Sequence, residues 1–194
     1  MKRLLSCKEI SSLKINNGYE KVESYNMENC VTENTKIIIV GTITPPKASG
    51  YFYTSPYNCI YGYIDSVRKT SLKDLKKSLK IDTINKNKII DILKKEGIAF
   101  LDIMKCVIRK KGSSADADIQ NFSLDFEIFK KVFCEMTICN KVKIICNSRL
   151  AEMGYKKIKE ELKKEGIILP ENIYISQVRR LQKTEKEKWL KELI

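Results

Sequence analysis

Lys36-Ile37-Ile38-Ile39-Val40-Gly41-Thr42-Ile43-Thr44-Pro45-Pro46 is the stretch on which the fold turns. Four consecutive β-branched residues cannot alternate between a wet and a dry face, so they read as a strand buried on both sides. Gly41 ends the run. Pro45 and Pro46 stiffen the turn beyond it, because each ring locks its φ and removes a backbone donor.

Working outward, three more short apolar runs come at wide intervals: Ala99–Met104 (AFLDIM), Val142–Cys146 (VKIIC) and Ile173–Val178 (IYISQV). Helical patterns separate them. Lys88–Glu96 carries Ile89, Ile90, Ile92 and Leu93 before the stop at Gly97. Ser123 is expected to cap a helix that buries Phe126, Phe129 and Phe133. Ser148 is expected to cap another, with Leu150, Ile158 and Leu162 inside and Gly166 at its end. A last helix over about Thr184–Leu193 packs Trp189 and Leu193. Lys69–Lys80 reads as an exposed helix and Arg109–Ser114 as a mobile basic loop. Strands alternating with helices predict an α/β fold with a parallel sheet covered on both faces. Residues 1–35 read as an N-terminal extension packed on a domain of residues 36–194.

In such folds ligands sit beyond the carboxyl ends of the strands. Those ends supply Gly41 and Thr42, then Lys105 and Arg109, then Asn147-Ser148 at a helix start, then Ser176 to Arg180. Next to the first of them lies Gly50-Tyr51-Phe52-Tyr53-Thr54-Ser55-Pro56-Tyr57-Asn58, with Tyr61 and Tyr63 beyond. Aromatic faces on a basic protein suit a stacked nucleobase, although burial in a small core is the ordinary fate of such rings.

The chain is basic: 37 Lys and Arg against 24 Asp and Glu give +13 over 194 residues, with no histidine. That excess points to nucleic acid or another polyanion, or, since only six of the basic residues are arginine, to a lysine-rich solvated surface. Seven cysteines without a CxxC pair read as reduced thiols in a cytoplasmic protein, with no metal site and no cofactor. Leu4-Leu5 is too short for a leader core, and no run approaches a membrane span of about 20 residues. The GTITPP turn lacks the lysine and glycines of a phosphate-binding loop. Asp102, inside an apolar strand, reads as a structural acceptor, with Asp116 and Asp118 downstream as rival catalytic carboxylates. Cys59 and Cys146 adjoin the predicted pocket but have no histidine base to activate them.

Four blocks in order resemble the uracil-DNA glycosylase superfamily, especially its hypoxanthine-DNA and mismatch-specific branches. They are IIIVGTITPP, YFYTSPYNCIYGYI, GIAFLDIMKCVIRKKGSSADADI and VKIICNSRLA, within roughly Lys36–Trp189. The resemblance implies a three-layer αβα sandwich around a four-stranded parallel sheet. It also implies a monomer that hydrolyses the N-glycosidic bond of a damaged base, uracil or hypoxanthine, flipped out of DNA. Carried over by position, Asn58 stands at the catalytic asparagine of the hypoxanthine branch. Thr44 stands where active relatives place Asp or Asn to activate water. Gly41, Thr42, Tyr53 and Asn147 are the implied base-binding residues, with Tyr53 stacking and the Asn147 amide reading the base edge. Arg109, Ser113, Ser176, Arg179 and Arg180 are the implied DNA contacts. Thr44 in place of a carboxylate, and Ser55 in place of the branch's histidine, keep two other readings open. One is an inactive nucleic-acid-binding module with the same fold. The other is an enzyme acting on a small nucleoside.

Overall fold

A computed structural model describes residues 3–43, 51–54, 58–76, 82–135, 142–176 and 183–194. The decisive stretch forms strand β3 (Ile37–Gly41), in which every residue is buried. It pairs in parallel with β4 (Ile98–Asp102) on one side and β7 (Lys143–Cys146) on the other. Beyond β7 lies β8 (Asn172–Tyr174), also parallel, so the central sheet has the order β4-β3-β7-β8.

The chain leaves β3 toward one edge through α2 (Ile60–Arg68), α3 (Leu72–Leu75) and α4 (Thr83–Glu96), and returns as β4. It leaves β7 toward the other edge through α6 (Arg149–Lys164) and returns as β8. Right-handed crossovers running in opposite directions put their helices on opposite faces. The helix α7 (Lys183–Glu192) packs on α2, while α5 (Phe126–Lys130) packs on α6. The result is the three-layer αβα arrangement around a four-stranded parallel sheet expected from the sequence.

Local chemistry explains the helix ends. The Asp82 side chain accepts from Asn85 N and starts α4 earlier than expected, and Gly97, at φ 67°, ends it in the left-handed region that favours glycine. Ser148 caps α6 by accepting from Ala151 N at 3.0 Å. Trp189 and Leu193 are buried under α7. Around Lys69–Lys80, where an exposed helix was expected, only the single turn of α3 is described, and it buries Leu72.

Three expectations are corrected. The run AFLDIM is not one strand. It breaks at Ile103, whose N–H reaches back to Gly41 O at 2.8 Å while its carbonyl accepts from Asp125 N. Past the break, β5 (Met104–Lys110) enters a second sheet, so Arg109 lies in a strand rather than a mobile loop. Nor does Ser123 cap a helix. It lies in β6 (Ile119–Leu124), and Asp125 caps α5 through Ile128 N. Asp125 wins because its carboxylate reaches the turn while Ser123 is held in the ladder opposite Cys106.

The second sheet has the order β1-β6-β5-β2, with β1 (Arg3–Leu4) and β2 (Tyr19–Glu23) supplied by the N-terminal region. The helix α1 (Cys7–Ser12) packs on β5 and β6. Asn26 ties this region to the central sheet. Its amide accepts from Asp102 N at 2.7 Å and donates to Asp102 O at 2.8 Å, as a neighbouring strand would. The same Nδ2 also donates to Asp125 Oδ2 at 2.9 Å.

Candidate active site

The carboxyl ends of β3, β4 and β7 meet over Gly41. A β-carbon there would stand 2.7 Å from Tyr53 Oη and 3.3 Å from Asp102 Oδ1, so only glycine lets the tyrosine hydroxyl descend onto the strand end. Asn147, carried just past β7 with its N–H on Val40 O, donates its Nδ2 to that hydroxyl at 2.7 Å. The Tyr53 ring stands edge-on to Phe100, with centroids 4.7 Å apart. Its backbone is left-handed, at φ 56°. For a non-glycine residue that conformation costs about 1–2 kcal/mol and is held by its surroundings. Burial, reinforced by the carboxylates of Asp102 and Asp116, pushes the Tyr53 hydroxyl well above its ordinary pKa, with the Asn147 bond working the other way. The phenol therefore stays protonated.

A second polar chain borders the first. Thr42 Oγ1 lies 2.7 Å from Ser148 Oγ and 2.8 Å from Asp116 Oδ2. A carboxylate only accepts, so the Thr42 hydroxyl donates to Asp116 and its lone pair takes the Ser148 proton. Ser148 in turn accepts from Ala151 N, which joins the start of α6 to a carboxylate at the strand ends. Asp116 comes from a short 3-10 turn (Asp116–Asp118) after β5. Arg109 supports that turn from beneath, donating to Ala115 O at 3.0 Å.

The predicted residues separate into groups. Gly41, Thr42, Tyr53 and Asn147 converge. Asn58 does not join them. Its Oδ1 accepts from Ile60 N at 2.9 Å at the start of α2, and its carbonyl accepts from Lys76. Arg109, expected as a DNA contact, is buried, 1% exposed, and its Nε has no hydrogen-bond partner among the described residues. Burial lowers its pKa against the pull of Asp116, Glu20 and Asp118. Ser113 donates to Asp118 Oδ2 at 2.5 Å, and Ser176 O accepts from Trp189 Nε1 at 3.0 Å. Thr44, Arg179 and Arg180 lie outside the described residues. Burial pushes the Cys146 thiol up to about 12, which disfavours a thiolate nucleophile there.

Sequence reasoning gave Lys76, Arg149 and Tyr174 no role in the site. Lys76 is buried, and its Nζ stands 5.7 Å from the Tyr61 ring centroid. Arg149 stacks its guanidinium 3.9 Å from the Tyr174 centroid at the rim beside Ser148. An Arg directly after a predicted helix cap was the one signal available for it. Among the described residues no group of three or more His, Cys, Asp or Glu is placed to hold a metal, and no helix is long and apolar enough to cross a membrane.

An open four-stranded parallel sheet between helices, with a polar cluster over its carboxyl edge, defines a three-layer α/β fold. Among solved structures the chain is similar to that of a candidate uracil DNA glycosylase from Methanosarcina acetivorans, determined by solution NMR. The TM-score is 0.58 at 21% identity, over 85% of this chain and 92% of that one. This is a likeness of fold. No family model and no curated protein sequence matches the chain.

Proposed function

We propose that this chain is a DNA glycosylase-like protein that hydrolyses the N-glycosidic bond of a flipped base, uracil or hypoxanthine, in DNA. The observation that carries the reading is the convergence of Tyr53 and Asn147 on Gly41, with the Thr42-anchored carboxylate of Asp116 beside them. Glycoside cleavage needs a group to accept a proton from water or to stabilise the cationic sugar, and a donor for the departing base. Asp116 has the chemistry for the first role, which Thr44 lacks. Asn147 supplies the second through its amide.

In the free protein one of the two Asn147 Nδ2 hydrogens is bonded to Tyr53, so a base edge that takes that hydrogen displaces Tyr53. The backbone strain at Tyr53 and the ring's place beside the amide suit a side chain that turns to stack on the incoming base. Asn58 enters as a second group. With Oδ1 held by α2, its Nδ2 is the part that can face the sugar or water. Arg149 on Tyr174, with a side chain 72% exposed, suits a phosphate at the rim. Ser113, Ser176, Arg179 and Arg180 remain candidate backbone contacts, while Arg109 becomes a positioning residue for the Asp116 turn.

The engaged state of Asn147, together with the lack of histidine in the chain, favours the second reading, a binding module without catalysis. Labelled oligonucleotides carrying a single uracil or hypoxanthine, treated with protein and then alkali, separate the two. The glycosylase reading expects strand breaks that Asp116→Asn and Asn147→Ala abolish and Asn58→Ala reduces. Salt-sensitive binding without abasic product would establish the module instead. Absence of both would remove nucleic acid as the partner.

A further inference from the structure

We propose that Cys7 and Cys106 form a modification site, a thiol pair that a peroxide-class oxidant converts into an intramolecular disulfide fastening α1 to β5. Their sulfurs lie 3.0 Å apart, although the residues are separated by 99 positions in sequence. A bonded pair stands at about 2 Å, so closure takes roughly 1 Å of side-chain movement. Both backbones are held in place. Cys7 opens α1 behind the capping box of Ser6 and Glu9, and Cys106 sits in the middle of the second sheet, opposite Glu23 on one side and Ser123 on the other. Ser123 Oγ lies 3.2 Å from Cys7 Sγ and helps hold that sulfur over the strand.

The pair is accessible to a small oxidant. A cavity of about 480 Å³ is lined by Cys7, Cys106, Lys21, Lys105 and Asn26, among others. Cys7 is half-buried and Cys106 buried, so Cys7 is the sulfur a solute meets first. Burial and the neighbouring Cys7 push the Cys106 thiol up to about 12, with Lys21 pulling the other way, so Cys106 waits as a protonated thiol. Peroxide oxidises the Cys7 thiol to a sulfenic acid and leaves as water. The Cys106 sulfur then attacks the Cys7 sulfur, the S–S bond forms and the S–O bond breaks. Hydroxide departs and takes the Cys106 proton as a second water. A dithiol reverses the bond by exchange.

These sulfurs belong to a small apolar cluster with Ile10 and Ile108, separate from the main core. The pair therefore stands or falls apart from the glycosylase reading.

The test exposes the full chain to hydrogen peroxide, alkylates the remaining thiols and maps peptides by mass spectrometry. The expected product has lost two hydrogens, links the Cys7 peptide to the Cys106 peptide, reverts with dithiothreitol and melts at a higher temperature than the reduced chain. Cys7→Ser, the milder change because Cys7 is only half-buried, abolishes the cross-link with circular dichroism unchanged. The proposal is overturned if Cys7 proceeds to sulfinic acid while Cys106 stays alkylatable. It is equally overturned if both thiols survive, or if the cross-link runs through the exposed Cys59 or Cys134.

Discussion

At Gly41 the site depends on a missing methyl group. Gly41→Ala places a carbon 2.7 Å from Tyr53 Oη, so the half-buried tyrosine has to leave the strand end. Overpacking of this kind costs about 1–3 kcal/mol, so denaturant midpoints should fall and base binding should weaken together. Tyr53→Phe separates the two effects. It leaves the ring on Phe100 but removes the acceptor of a buried amide hydrogen, which costs about 1–3 kcal/mol in the free protein. A bound base would satisfy that amide, so stability should drop while affinity for uracil- or hypoxanthine-bearing oligonucleotide rises in a titration. Unchanged or weaker affinity in a folded Tyr53→Phe protein would mean that Tyr53 does not compete with the base. Gly41, Thr42 and Asn147 were legible in the sequence because strand ends and a helix start put them in one place, while Tyr53 was assigned to them only through the family resemblance. The link of Asp116 to Thr42 was not, because the contact spans 74 positions and depends on a turn supported by a buried arginine.

Among the elements, α6 carries more than its own stability. Ser148 caps its first turn and also donates to Thr42, so Ser148→Ala should cost about 1 kcal/mol as a lost cap. Under the glycosylase reading it should lower kcat more than KM, because Asp116 keeps its place but loses a proton-ordered neighbour. A purely structural Ser148 would lower the melting temperature and leave the kinetic constants alone. Strands β3, β4 and β7 were readable because burial on both faces forces continuous apolar runs, whereas β8 is an edge strand with Ile173 exposed. The second sheet was not readable. In β5 the lysines at 105 and 110 are exposed while Arg109 is buried between them, so composition alone suggests a basic loop. The short strands of residues 3–4 and 19–23 owe their pairing to β5 and β6 rather than to any period of their own.

For the whole molecule, the +13 charge predicts that any DNA binding is governed by counterion release, with log affinity falling linearly against log salt. Replacing Arg149 with Ala should lower that slope by about one contact and weaken binding alike across sequences. Buried thiols set an alkaline limit. Cys30 and Cys146 have ordinary values of 9.0 and are pushed by burial to about 11 and about 12 in the folded chain. Above pH 9.0 the unfolded chain ionises them while the folded chain does not, so stability present below that pH is lost as pH rises toward the folded values. The slope is about 1.4 kcal/mol per pH unit for each thiol, and chemical denaturation between neutral pH and pH ~11 would measure it.

Asn26 gives the molecule a defence that neither sheet provides. β4 is the outer strand of the central sheet, and an outer strand with bare N–H and C=O groups invites a second chain to add on. One carboxamide already occupies both backbone groups of Asp102, so the end of β4 nearest the pocket offers no template for recruitment. Asn26→Leu should therefore change solution behaviour before it changes the fold. Light scattering should report self-association that rises with concentration, while the monomeric fraction keeps its native circular dichroism.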